Sequence, residues 1–132
     1  PERAIAPLKA ALRLSPNDVH IFFTFGELAV AHGMLGQWHE AAEHAEQSVI
    51  RRPGYWYAQV IKINALARTG NPAAAALTLG ELMAAKPDFS EKFLTWLPFV
   101  DRTWVDGLID GLRIASSNRI SRSNDDAKVV LG

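Results

Sequence analysis

Cysteine is absent from this 132-residue chain, which excludes disulfides, thiolate metal sites and cysteine nucleophiles. A surplus of charge is absent too. Fourteen basic residues are balanced by fourteen acidic ones, so neither a nucleic-acid footprint nor an anionic-membrane footprint is expected. No hydrophobic run is long enough for a bilayer. The most apolar stretch, 21–35, falls short of the roughly 20 residues a span requires and carries Glu27 and His32. The start, Pro1-Glu2-Arg3, has no initiator methionine, basic leader or apolar signal core, and reads as cut from a longer protein. An apolar fraction of 48% fits one ordinary globular domain.

What the chain does contain is a recurring pattern of alanine, an apolar residue, a small or apolar residue and proline. It reads Ala4–Leu8–Ala11–Pro16, then Ala41–Ala45–Ser48–Pro53, then Ala75–Leu79–Leu82–Pro87, with offsets of 37 and 34 residues. A period of about 34 is the tetratricopeptide signature, in which each helix–turn–helix unit buries its apolar face only against its neighbours. The expected fold is all-α: a short right-handed helical superhelix closed by a C-terminal cap.

The segments follow from helix formers and stop signals. Ile5, Leu8, Leu12 and Leu14 among alanines predict a helix that ends at Ser15-Pro16-Asn17-Asp18, so residues 1–16 supply the second helix of a truncated unit. A complete unit spans 19–53. Its first helix, 21–35, places Phe25, Leu28, Ala29 and His32 on one face. Gly36 makes the turn and Trp38 is the aromatic that follows it, and 40–51 forms the second helix, whose Ala41, Ala45 and Ser48 allow close approach while Phe25 and Trp38 fill the gap beside them. A further unit spans 54–87. Its helix 55–68 carries Gln59 and Lys62 in slots that are apolar or small in the preceding unit, which suggests a shift or rotation. Thr69-Gly70-Asn71-Pro72 then stops and restarts the chain before a helix over 72–85. Residues 89–115 read as a helical cap: a short helix in 89–97 stopped at Pro98, then a helix over 102–115 with Val105, Leu108, Ile109 and Leu112 on one face. The polar tail 116–132 is expected to be largely disordered.

A narrower resemblance lies in the wording of the segments. "LRLSPND" (12–18), "FFTFGELAVAHGMLGQWHEAAEHAEQSV" (22–49), "KPDFS" (86–90) and "LPFVDRTWVDGLIDGLRIA" (97–115) resemble the C-terminal repeat regions of rhizobial-type class III adenylate/guanylate cyclases and of similarly built winged-helix regulators. The long first junction resembles that group as well. The resemblance implies a cytoplasmic bacterial protein whose catalytic or DNA-binding domain lies elsewhere in the polypeptide. The tail after "DGLRIA" departs from the group's usual ending.

Few residues in the segment suggest chemistry of their own. "HEAAEH" at 39–44 echoes the zinc motif H-E-x-x-H. Its histidines are five apart, however, about 140° around a helix, and cannot share one ion. Exposed histidines with a Glu40–His44 contact are expected instead. His32 reads as a packed, hydrogen-bonded residue. Asp101, Asp106 and Asp110 read as a cap and a solvated face rather than paired acids. The expectation is no catalytic residue, no metal site and no cofactor.

Function is therefore expected at a surface. The groove-facing positions of a tetratricopeptide array map to Phe23, Val30 and Met34 in one unit and to Tyr57, Val60, Asn64 and Arg68 in the next. Of the Lys, Arg and Asn slots that make a carboxylate clamp, only Asn64 and Arg68 qualify, which argues against one. The groove is mostly apolar. It would receive an apolar helix or extended peptide, or be filled by the cap's own Phe93, Trp96, Phe99 or Trp104. The partner is a protein, a peptide or another domain of the same polypeptide, and the bare face of the first helix also invites a homodimer contact.

Overall fold

A computed structural model describes residues 1–97 and 101–131, with side-chain surroundings through residue 119. Its seven helices among the described residues, with no strand, are α1 (Glu2–Leu14), α2 (Ile21–Met34), α3 (Trp38–Arg51), α4 (Trp56–Arg68), α5 (Pro72–Ala85), α6 (Lys92–Thr95) and α7 (Arg102–Leu131). Each of α1 to α4 packs on the next, α2 also reaches α4, and α7 lies against both α4 and α5. No helix among the described residues is long and apolar enough to cross a membrane.

The thrice-repeated sequence pattern appears as a thrice-repeated turn. Pro16, Pro53 and Pro87 disfavour helical geometry in the residue before them, so Ser15, Arg52 and Lys86 adopt φ of −140°, −142° and −139°. Each of these residues still donates its N–H into the preceding helix, to the carbonyls of Ala11, Ser48 and Leu82 at 2.8–3.0 Å. Three residues on, Asp18, Tyr55 and Phe89 donate back to Ser15, Arg52 and Lys86. The other turn type also recurs. Gly36 and Gly70 sit at φ +73° and +79°, and Gln37 and Asn71 donate five residues back, to His32 and Leu66, at 2.9 Å. A left-handed glycine with this bond closes a helix without a Cβ clash.

Small residues set the helix spacing. Ala41, Ala45 and Ser48 of α3 are fully buried, and the Ser48 hydroxyl donates across to the Phe22 carbonyl at 2.7 Å. The core continues through Val60, Ile61, Ile63, Leu79, Leu82, Leu94, Leu108 and Leu112, each large side chain contributing about 1.5–3 kcal/mol on burial. By contrast, α1 buries no residue of its own, because it packs mainly on α2.

Three sequence expectations change. The final helix does not end at Ala115 with a disordered tail; its backbone runs to Leu131, since 116–131 contains neither proline nor glycine. The short helix expected in 89–97 is only Lys92–Thr95, with Phe89 held in the Lys86 turn. Gln59 and Lys62 need no irregular helix. Gln59 is buried and donates to the Pro53 carbonyl at 3.4 Å, while Lys62 pairs with Glu46 at 2.5 Å.

Candidate functional site

The apolar residues that α2 does not commit to α3 form one wall of a cavity of about 850 Å³. Phe23, Val30 and Met34 line it from α2, Ala4 and Leu8 from α1, and Tyr55 and Tyr57 from the start of α4. Phe23 and Met34 are 48% and 42% exposed, a large apolar exposure for residues flanking a concavity. The only carboxylate among its described lining residues is Glu27. Burial first, then the neighbouring Tyr57 and Glu27, push the Tyr55 phenol up to about 12. Burial likewise raises the Tyr57 phenol, opposed by its hydrogen bond with Trp104.

Beyond Met34 the groove is occupied by the chain itself. Asp101 accepts the Trp104 backbone N–H at 3.2 Å, capping the first turn of α7 and setting the Trp104 ring over the α2–α4 face. That ring lies parallel to Trp38, 6° between planes and 6.3 Å between centres, and its Nε1–H donates to the Tyr57 hydroxyl at 2.8 Å. Gly33 makes the contact sterically feasible, since a Cβ there would come within 2.5 Å of the indole. Arg68 ties the same place together, donating to Asn64 Oδ1 and to the Gly107 carbonyl, each at 3.2 Å. A cleft of about 540 Å³ remains around Met34, Asn64, Arg68, Asp101 and Trp104.

The seven residues expected in the groove are thus distributed. Phe23, Val30, Met34 and Tyr57 line the open cavity, while Asn64 and Arg68 line the cleft beside Trp104. Val60 lines neither and belongs to the core. Of the aromatics expected to fold back, Trp104 does so. Phe93 and Trp96 instead join Trp56 and Phe89 in a separate aromatic cluster with centres 5.6–5.8 Å apart, and Phe99 lies outside the described residues. Sequence reasoning missed Tyr55 and the α1 residues Ala4 and Leu8. The doublet around Tyr55 and Tyr57 was the available signal, because a turn residue next to a helix start shares its wall.

The histidine motif also resolves differently. His39 is exposed, but His44 is not. Its ring stacks on Phe25 at 6.0 Å and on His32 at 5.1 Å. His32 is buried, and its Nδ1 donates to Gln37 Oε1 at 2.6 Å. Among the described residues no group of three or more His, Cys, Asp or Glu side chains is placed to hold a metal ion. Asp106 and Asp110 are exposed along α7. Comparison with protein families, with curated proteins and with solved structures gives no match to this chain.

Proposed function

We propose that this chain is a non-catalytic protein-interaction module that receives an apolar segment of a partner, or of another domain of the same polypeptide, between α1, α2 and the start of α4. The observation that carries the reading is the open cavity of about 850 Å³ with Phe23 and Met34 exposed at its wall. Concave apolar surface with a few polar groups is the usual form of a recognition site, and exposed apolar patches of this kind mark interaction surfaces. The tetratricopeptide reading draws support from the two left-handed glycines, Gly36 and Gly70, 34 residues apart. On the resemblance of residues 4–115, the module would belong to a bacterial nucleotide cyclase, or to a winged-helix regulator of similar build.

An amphipathic helix is the occupant favoured by the internal repetition. α2 covers α3 and reaches α4, and α4 covers α5 and α7; a helix laid on α1 and α2 would repeat that relation once more. Phe23→Glu and Met34→Glu test the proposal. Both residues are exposed, so the fold should survive, as circular dichroism would report. Capture of partner protein from cell extract, quantified by mass spectrometry, should fall several-fold for each variant. Undiminished capture by a folded variant would refute the groove. Sedimentation of the wild type separates self-association from a heterologous partner.

A further inference from the structure

His44 occupies a position that a charged imidazole fits poorly. It is half-buried on α3, with the Phe25 ring on one side (6.0 Å, 28° between planes) and the His32 ring on the other (5.1 Å, 20°). Both of these flanking rings belong to α2. His32 is 5% exposed, and its Nε2 has no hydrogen-bond partner among the described residues. Arg51 lies over the same Phe25 ring, 4.6 Å from its centre.

The charged groups around His44 come from every neighbouring helix. Lys9 approaches from α1 and His32 from α2, while Glu40 and Glu43 share α3 with it. Lys62 of α4, already paired with Glu46, lines the same surface cavity as His44. No carboxylate is in ion-pair contact with His44 among the described residues. A second positive charge on the stacked pair would face its like at 5.1 Å, where Coulomb repulsion is only partly screened.

We infer that the Phe25–His44–His32 stack is an acid-sensitive lock between α2 and α3, which pack fully only while His44 is uncharged. The direction agrees with its surroundings. Burial first, then His32 and Lys9, lower the His44 pKa below its ordinary 6.5, against the weaker opposing pull of Glu43 and Glu40. A base with a depressed folded-state pKa binds its proton more readily when unfolded. Stability is therefore full above about 6.5 and is lost as the pH falls from there through the folded-state value. The inference stands apart from what the groove binds.

Two measurements on the 132-residue chain test it. The imidazole Cε1–H resonances are followed by NMR as the pH falls through the histidine range. Thermal unfolding is then recorded at neutral and acidic pH for wild type, His44→Gln and His39→Gln. His44 should titrate below the ordinary 6.5. Wild type and His39→Gln should lose a few °C more in Tm on acidification than His44→Gln does, on the order expected for a domain of this size. His44 titrating at or above 6.5, or a His44→Gln profile parallel to wild type, overturns the lock. If His44→Gln does not fold, the wild-type titration decides alone.

Discussion

Replacing Trp104 by alanine removes the side chain that joins α7 to the α2–α4 face. The indole is 7% exposed, stacks on Trp38 and donates to Tyr57. Truncating a buried tryptophan costs about 3–5 kcal/mol through lost burial and the cavity left behind. The Tyr57 hydrogen bond accounts for about 1 kcal/mol of net stability, so most of the loss is packing. Two companions separate the contributions. Trp104→Phe keeps an aromatic ring but removes the donor, and should cost clearly less than the alanine variant. Trp96→Ala removes an indole that is 72% exposed and should stay within about 0.5 kcal/mol of wild type. Urea unfolding followed by circular dichroism gives all three values. Against a typical stability of about 5–15 kcal/mol, the alanine variant should shift the midpoint conspicuously. A Trp104→Ala loss no larger than that of Trp96→Ala would refute the docking of α7 through this residue, and with it the account of why half the groove is closed.

Gly111→Ala should destabilise by about 1–3 kcal/mol, because its Cβ would lie 2.7 Å from the Asn64 Cα, a backbone atom that cannot swing aside; Gly54→Ala, with nothing within 4 Å among the described residues, is the neutral comparison in the same urea series. Tyr55 should ionise only near its raised value of about 12. Its folded-state pKa lies above the ordinary 10.0, so stability is full below about 10 and is lost as the pH rises through the folded value. Ultraviolet difference absorbance should show this delay, and Tyr55→Phe should flatten the alkaline fall in Tm; a variant with the wild-type alkaline slope would contradict it.

The local grammar of the fold was legible because it rests on residues whose backbone preferences act within a few positions. Pro16, Pro53 and Pro87 marked three exits that share one geometry, and Gly36 and Gly70 marked two turns that share another. The all-helical class and the bounds of α5 followed directly. The end of α7 did not. A segment rich in Ser, Asn, Asp and Arg has weak helix propensity, yet nothing in it forbids continuing a helix already formed. The roles of single surface residues were less legible still. Val60 and Asn64 occupy groove positions by spacing, but Val60 is buried in the core and Asn64 is buried where Gly111 of α7 lies against it. His44 was expected to be exposed because periodicity gives a face and does not say which ring from α2 will meet it.

By itself, the sequence determined where most of the turns between helices fall, because propensity, proline geometry and left-handed glycine are local effects. It also limited the chemistry, since without cysteine and without a surplus of charge several classes of site have no ligands to use. Only tertiary structure decided how the groove is shared. Trp104 reaches Gly33, Trp38 and Tyr57 across 47 residues or more of chain, and that contact closes one half while leaving Phe23 and Met34 exposed in the other. Such contacts depend on how helices far apart in the chain stack, which no short-range preference encodes.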